Sequence, residues 1–286
     1  MVFTAPAKVN LYLKVIRRRD DGYHEIETLF ERISLSDSIS VETDRDRTTI
    51  SCNEPHVPTG KESLLGRTCE AFKQRLGEDL HFRIALDKNI PVAAGLGGGS
   101  SDASALLRGL NRITGSPLGE EALLSISRDL GADIPFFTGN YRFALGKGRG
   151  DIVREVDTKL DIWHVLVTPP FEISTKDIYD KVPAFSLTYN RGVDRMFSAF
   201  LGENDIDGLA GNLCNDLQAI VLRDFPILER VLFELEKAGA KGVLLSGSGP
   251  TVFGIFERKE TAGAAERIRS VFPKEEGWRF HVARTY

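Results

Sequence analysis

Two side chains with catalytic potential stand near the start of the chain, and a third stands near its middle. Lys8 and Asn10 are two residues apart, so a strand places them on the same face. Asp133 directly precedes the apolar run 134–137, where an unpaired carboxylate is costly. Asp133 is therefore expected to be exposed, to cap a turn or to pair with a cation. For Lys8 taken alone, the alternative is a solvated lysine on an edge strand, and the sequence does not pair it with Asp133.

A glycine-rich run at residues 91–103 joins the strand-like segment 81–90 to a helix. The helix is indicated by one alanine and three leucines at helical spacing. Ser100 or Ser101 is expected to cap it, and Asp102 suits its first turn. Glycines let the backbone approach a ligand closely, and the free N–H groups of a helix start favour an anion. The run therefore predicts a phosphate cradle, and the alternative is a flexible turn before an ordinary helix.

This loop differs from the two common glycine-rich nucleotide motifs. A P-loop needs a lysine after its last glycine, and none follows Gly99. A dinucleotide fingerprint that begins at Gly95 and Gly97 needs a glycine where Ser100 stands. The protein-kinase signatures His-Arg-Asp and Asp-Phe-Gly do not occur. If the loop binds phosphate, it belongs to another class.

Two further segments carry polar or aromatic groups beyond what a turn needs. Tyr23 and His24 follow an Asp-Asp-Gly turn, and they could stack on and hydrogen-bond to a base or sugar. The alternative for them is a surface aromatic beside a titratable bystander. The hairpin 245–256 turns through a Ser-Gly-Ser-Gly-Pro stretch. It is either a long hairpin loop or a second backbone wall around a phosphate.

Composition narrows the class of protein. The 286 residues suffice for about two domains, and the net charge of −4 gives no overall attraction to nucleic acid or to an anionic membrane. The three cysteines are far apart and show no Cys-x-x-Cys spacing, which argues against zinc and against a disulfide framework. No signal-peptide core or membrane-length apolar run occurs. We therefore expect a cytoplasmic protein that binds neither nucleic acid nor membranes.

The elements that must position these groups follow from the hydrophobic periodicity. A half-buried strand is predicted at 8–15, and the strand 81–90 leads into the glycine loop. The later strands and helices follow the order β-α-β-β-α-β of a ferredoxin-like unit once the extra helices are set aside. The predicted strands are 8–15, 27–33, 38–41, 48–52, 81–90, 163–167, 242–245, 251–256 and 278–283. The predicted helices are 63–76, the loop helix to about 115, 120–130, those from about Thr175, Val193 and Asn212, 227–238 and 262–271.

Taken together, the motifs resemble those of the GHMP kinases. The three family motifs occur in order at residues 6–11, 91–101 and 245–251. The resemblance is narrower in four segments, which match the 4-diphosphocytidyl-2-C-methyl-D-erythritol kinase family: residues 7–13, 21–26, 130–137 and 215–217. The resemblance extends from near residue 1 to at least Phe256. It implies an α+β, two-domain fold. The N-terminal domain, 1–155, is ribosomal-protein-S5-domain-2-like and binds nucleotide, and the C-terminal domain, 156–286, is ferredoxin-like.

The resemblance also implies the reaction and the roles of the matching residues. The γ-phosphoryl group of ATP would pass to the 2-hydroxyl of the cytidylated methylerythritol in the non-mevalonate isoprenoid pathway. Mg²⁺ would bridge the ATP phosphates, and the resemblance does not identify the protein ligands of this ion. Lys8 and Asp133 match the catalytic pair, and Asn10, Tyr23, His24 and Tyr179 match the substrate contacts. The residues that match the ATP site are Lys88, Pro91, Val92, Ala93, Ala94, Gly95, Leu96, Gly97, Gly98, Gly99, Ser100 and Ser101.

Three departures from the family pattern affect only nucleotide contacts. Ser63 stands where many members have asparagine, residues 92–94 replace a Met-Gly-Ala type of run, and Asp151 replaces a common glutamate. The alternatives are another GHMP kinase of the homoserine or mevalonate type and a non-catalytic binding module of the same fold. The protein is expected to be a monomer or a homodimer.

Overall fold

The computed structural model describes residues 1–182, 205–272 and 276–286. They form two compact units, each built from several stretches of chain. The first comprises Met1–Ala7, Ser36–Val92 and Gly97–Tyr141, and the second comprises Lys8–Leu35, Ala93–Leu96 and Arg142–Tyr286. The predicted boundary at residue 155, between the N-terminal and C-terminal domains of the family, stays a prediction. No helix in the described part of the chain is long and apolar enough to span a membrane.

The first unit packs a small sheet and helices around an apolar core. The second half of β2 pairs with β4 in antiparallel fashion, from Ser38 opposite Asp87 to Asp44 opposite His81, and β3 pairs with β4 in parallel. Alternate β4 side chains are buried against α1, α2 and α3, as the predicted alternation requires. The elements are β1 Val2–Arg18 and β2 His24–Asp44, which both continue into the second unit, β3 Thr49–Cys52, α1 Leu64–Leu76, β4 His81–Asp87, α2 Gly98–Ile113, α3 Glu120–Leu130 and α4 Ile134–Thr138.

The second unit contains the predicted ferredoxin-like arrangement. Its four-stranded sheet has the order β11-β7-β10-β9, with neighbouring strands antiparallel. The first half of β2 pairs with β5, β5 pairs with β6, and β1 pairs with β8 in parallel. The elements are β5 Phe143–Lys147, β6 Ile152–Glu155, β7 Trp163–Thr168, α5 Thr175–Asp180, α6 Ile206–Ala210, β8 Cys214–Asn215, α7 Gln218–Asp224, α8 Ile227–Lys237, β9 Gly242–Leu245, β10 Val252–Phe256, α9 Arg258–Val271 and β11 Arg279–Arg284.

Three sequence-based expectations about these elements are corrected, and a fourth is not tested. The strands predicted at 27–33 and 38–41 are one continuous strand, β2. Strand β1 is not half-buried, because Lys8, Asn10 and Tyr12 are buried as well as the apolar residues between them. The helix predicted from Asn212 begins only at Gln218, after the short strand β8. The helix predicted from about Val193 lies outside the described residues.

The burial of both faces of β1 follows from its place in the sheet. In the sheet order, β1 lies between β2 and β8, so it is not an edge strand. Tyr12 and Leu13 lie opposite Cys214 and Asn215 of β8. A central strand of a covered sheet is buried on both faces, and alternation then no longer separates buried from exposed residues.

Candidate active site

The helix that follows the glycine loop starts earlier than predicted. Gly97 is the N-cap of α2 and has a left-handed conformation at φ +67°. Because glycine has no side chain, it cannot cap the helix with one. Ser100 and Ser101 therefore lie inside the helix and do not cap it, which corrects the prediction. The N–H groups of the first turn thus receive no side-chain cap from the N-cap position. Such a helix start favours an anion.

Asp102 was predicted to lie in the first turn of the helix and to interact with its dipole. In the structure it lies beyond the first turn of α2 and belongs to a buried ion cluster of the first unit. Its Oδ2 lies 2.9 Å from Lys88 Nζ, and Lys88 Nζ also hydrogen-bonds Asp37. The three side chains are 6% exposed or less. Asp37 Oδ1 accepts hydrogen bonds from the backbone N–H groups of Asn89 and Ile90 at 2.5 and 2.7 Å. The cluster therefore ties β2, the residues after β4 and the start of α2 together.

The charges of this cluster perturb one another. Burial, followed by the nearby charge of Asp37, raises the pKa of Asp102 to about 7 against the attraction of Lys88. Burial lowers the pKa of Lys88, but the two carboxylates outweigh it and raise that pKa above its ordinary value. Asp102 Oδ1 and the buried Ser101 hydroxyl have no hydrogen-bond partner among the described residues. Lys88, predicted to contact ATP, thus has two carboxylate partners in the structure.

The raised pKa of Asp102 predicts how Asp102→Asn changes the pH dependence of stability. Between its ordinary value of 3.8 and about 7, the folded chain holds a proton that the unfolded chain has lost. The contribution of Asp102 to the unfolding free energy therefore falls as pH rises through that window. Asparagine resembles the protonated acid, so the variant should gain stability relative to the wild type between pH 5 and pH 8. The gain should be on the order of a few kcal/mol.

Urea unfolding of both proteins at several pH values measures this difference. Asp129→Asn, a change at an exposed position on α3, serves as the control. It should leave the pH dependence of the wild type unchanged. Parallel stability curves for Asp102→Asn and the wild type would contradict the assignment.

In the second unit, two sequence motifs hold the middle of the glycine loop. The backbone N–H of Lys8 donates to the carbonyl of Leu96 at 3.0 Å. Ser246 Oγ donates to the Gly95 carbonyl at 3.0 Å, and the Thr251 N–H donates to the Ala94 carbonyl at 3.3 Å. The three motifs that carry the family resemblance therefore meet at this loop. The hairpin turn at 246–250 therefore packs against the glycine loop, and its role as a backbone wall around a phosphate stays a prediction.

Lys8 is buried and is not the solvated edge lysine of the alternative interpretation. It is 4% exposed, and its Nζ donates to Asn10 Oδ1 at 2.5 Å and lies 5.6 Å from the centre of the Phe30 ring. A Cβ on Gly247 would lie 3.4 Å from Lys8 Nζ, so the third motif closely approaches this ammonium group. The absence of a Cβ leaves space beside the charge.

Asp133 lies in the first unit, at the residue before α4. It is partly exposed, and it occupies the N-cap position with a helical backbone conformation. Its carboxylate caps none of the first N–H groups of α4, all of which belong to the described chain. Proline at the second helical position removes one of those donors in any case. The pairing of Asp133 with Lys8 stays a prediction.

The aromatic residues predicted to contact substrate form two separate side-chain contacts within the second unit. Tyr23 is 55% exposed, and the guanidinium of Arg149 lies 5.1 Å from its ring centre. His24 is buried, and its ring lies 5.2 Å from that of Tyr179. Burial, followed by the charge of Arg18, lowers the pKa of His24. A neutral imidazole has one donor and one acceptor, as the edge of a base requires.

Residues that the sequence analysis assigned no role support these groups. Asn215 of β8 donates from Nδ2 to the carbonyls of Leu245 and Gly247, which fixes the turn of the third motif. Arg149 pairs with Asp151 at 2.8 Å while it covers Tyr23. Thr28 accepts a hydrogen bond from Asn10. No periodicity or motif marks Thr28, because its role depends on pairing with a distant strand.

Comparisons with known proteins identify the family and the fold of the chain. Family models of the GHMP kinases N-terminal domain and the GHMP kinases C-terminal domain match residues 63–140 and 196–274. A 4-diphosphocytidyl-2-C-methyl-D-erythritol kinase of Geobacter metallireducens is 38% identical over 94% of each chain. The crystal structure of a 4-(cytidine 5'-diphospho)-2C-methyl-D-erythritol kinase aligns with a TM-score of 0.82 at 32% identity, covering 99% of this chain and 98% of the other. A homoserine kinase of Cytophaga hutchinsonii, at 17% identity and a TM-score of 0.74 over 99% of this chain and 94% of the other, shows the fold alone.

Proposed function

The chain belongs to the GHMP kinases, in the 4-diphosphocytidyl-2-C-methyl-D-erythritol kinase family, and from that premise we propose its reaction. It transfers the γ-phosphoryl group of ATP to the 2-hydroxyl of 4-diphosphocytidyl-2-C-methyl-D-erythritol, giving the 2-phosphate and ADP, a step of non-mevalonate isoprenoid synthesis. The observation that carries the proposal is the glycine loop, whose carbonyls are held by the first and third motifs and whose helix begins without a side-chain cap.

The loop and the start of α2 form the proposed site for the ATP phosphates. The N–H groups of the first helical turn and the helix dipole favour the anionic phosphates. Gly98 is tightly enclosed, since a Cβ there would lie 3.0 Å from Ile90 and 3.1 Å from Lys88 Nζ. The proposed nucleotide residues remain Lys88, Pro91, Val92, Ala93, Ala94, Gly95, Leu96, Gly97, Gly98, Gly99, Ser100 and Ser101.

Mg²⁺ is proposed as the companion of the ATP phosphates. Among the described residues, no group of three or more histidine, cysteine, aspartate or glutamate side chains is placed to hold a metal ion. Protein sites for Mg²⁺ commonly rely on one or two carboxylates together with the phosphates of the nucleotide. The described side chains therefore do not form a metal cage.

Lys8 and Asp133 are the proposed catalytic pair. Asp133 accepts the proton of the 2-hydroxyl as the new oxygen–phosphorus bond forms and the bond between the γ-phosphorus and the bridging oxygen of ADP breaks. Lys8 stabilises the negative charge on the transferring group. Because the transition state is loose, most of the rate enhancement comes from orientation and charge stabilisation.

The cytosine end of the substrate is proposed to bind at Tyr23, His24 and Tyr179, with Asn10 near the reacting alcohol. The partly exposed ring of Tyr23 and the ring of Tyr179 supply stacking surfaces. The neutral His24 supplies a donor and an acceptor for the base edge. A cytoplasmic location and a monomeric or homodimeric state are proposed from the family.

A coupled ADP-release assay tests the reaction. With ATP and Mg²⁺ present, the cytidylated methylerythritol should give turnover, whereas homoserine, mevalonate, galactose and a blank without alcohol should give none. Turnover with another of these alcohols would replace the proposed substrate, and ADP release without any alcohol would indicate a different ATPase role.

A further inference from the structure

Thr28 is a fully buried residue of β2 whose hydroxyl lies between two polar groups of β1. Thr28 Oγ1 donates to the Tyr12 carbonyl at 2.7 Å, and Asn10 Nδ2 donates to Thr28 Oγ1 at 2.8 Å. A hydroxyl has a single hydrogen to donate. Since that hydrogen is used for Tyr12, the oxygen can meet Asn10 only as an acceptor. Thr28 therefore accepts the nitrogen end of the Asn10 amide and disfavours its oxygen end.

The orientation of the Asn10 amide determines whether the amide oxygen or the amide nitrogen faces the Lys8 ammonium group. With its nitrogen at Thr28, the amide directs Oδ1 toward Lys8 Nζ, and the two atoms lie 2.5 Å apart. A lysine ammonium group has donors and no acceptor, so it needs the oxygen end of the amide. A reversed amide would place two N–H donors against the buried ammonium and an oxygen against a hydroxyl that has no hydrogen left.

The surroundings restrict any other arrangement. Lys8 and Asn10 are 4% and 2% exposed, so little water reaches either group. A Cβ on Gly247 would lie 3.2 Å from Asn10 Oδ1 and 3.4 Å from Lys8 Nζ, which puts the third motif directly against this pair. The Lys8 ammonium is thus located by a chain of hydrogen bonds that starts at the Tyr12 carbonyl.

We propose that Thr28 is a positioning residue for the phosphoryl transfer, because it sets the orientation of the Asn10 amide and thereby the position of the Lys8 ammonium. Asn10 gains a second role beside its proposed substrate contact. The inference rests on the proposed function in that Lys8 is the catalytic cation, but it does not depend on which alcohol is phosphorylated. A displacement of about 1 Å in a catalytic group is enough to cost about 10²-fold in rate.

The test compares Thr28→Val with Thr28→Ser. Valine keeps the branched shape and removes the hydroxyl, whereas serine keeps the hydroxyl and is the matched control. We expect Thr28→Val to lower kcat by roughly 10- to 100-fold, with the KM for ATP changed by less than about 3-fold. Thr28→Ser should stay within about 3-fold of the wild type. Circular dichroism and thermal unfolding confirm that each variant is folded.

A double-mutant cycle with Asn10→Ala separates positioning from simple packing. If Thr28 acts through Asn10, then Thr28→Val should cause no further loss of kcat in the Asn10→Ala background. A loss of equal size in both backgrounds, or a wild-type kcat in Thr28→Val, would overturn the proposal. Should Thr28→Val not fold, Thr28→Ala takes its place in the cycle, since it removes the same hydroxyl without adding a methyl group in its position.

The proposed function and this inference fail in different measurements. The panel of alcohols with the wild-type enzyme decides the substrate. The cycle is measured with whichever alcohol that panel identifies, so a change of substrate leaves the prediction for Thr28 intact. If the wild type turns over and the cycle is additive, only the positioning role is lost.

Discussion

The Asp133→Asn variant should keep its fold and its affinity for ATP while its kcat falls by about 10²- to 10⁴-fold. The amide of asparagine is nearly the shape of the carboxylate but cannot accept the proton of the alcohol. Within the described chain, the carboxylate caps none of the first N–H groups of α4, so its replacement by an amide removes no N-cap hydrogen bond. The loss should therefore appear in turnover and not in stability.

Three measurements define this prediction. Single-turnover and steady-state rates with the cytidylated alcohol report kcat, titration with ATP reports nucleotide affinity, and thermal unfolding reports the fold. Asp129→Asn, at an exposed position on the preceding helix α3, is the matched control and should behave like the wild type. Wild-type turnover in Asp133→Asn would remove Asp133 from the proposed role of proton acceptor.

Much of the fold could be predicted because local patterns determine it. Helix α3 and strand β9 have the predicted bounds, and Ser63 caps α1, where the helical pattern begins. The ferredoxin-like order of strands β7, β9, β10 and β11 followed from the sequence of short apolar runs and amphipathic helices. The helices and strands themselves depend on neighbours two to four residues away, which a single sequence displays directly.

The features that could not be predicted depend on pairing between distant segments. Lys8 is buried because β1 lies between β2 and β8, and nothing within residues 8–15 reveals those neighbours. The sequence pattern predicted Asp102 in the first helical turn. In the structure, the helix begins earlier, after the left-handed Gly97, and Asp102 pairs with the buried Lys88. The choice of Thr28 as the partner of Asn10 likewise depends on strand register. Sequence motifs identified the reactive groups, whereas the groups that orient them emerged only from the fold.

A second large effect is expected at Gly95, a residue of the proposed nucleotide loop whose positive φ and close contacts exclude a side chain. We expect Gly95→Ala to destabilise the protein by about 3 kcal/mol and to lower its Tm by roughly 6 to 12 °C. Gly95 has φ +77°, and a Cβ there would lie 2.1 Å from the Ser246 carbonyl oxygen and 3.0 Å from that of Gly249. Alanine in the left-handed region adds about 1 kcal/mol of strain before any clash.

This clash must separate the loop from the turn of the third motif. Ser246 would lose its hydrogen bond to the Gly95 carbonyl, and the loop that is proposed to bind the phosphates would shift by an ångström or more. The value of kcat/KM for ATP should then fall by at least about 10²-fold. Differential scanning fluorimetry and ATP-dependent kinetics measure the two effects separately.

Gly99→Ala provides a control for stability within the same loop. Its φ is not positive, and an added Cβ meets only Leu64 Cδ2, at 4.0 Å, among the described residues. Alanine therefore fits the second position of α2 without strain. Alanine is also the better helix former, so the Tm should equal or exceed that of the wild type. A Gly95→Ala protein with the Tm of Gly99→Ala would show that the loop and the turn are free to separate, and the close packing of the second and third motifs would then have no part in holding the phosphate site.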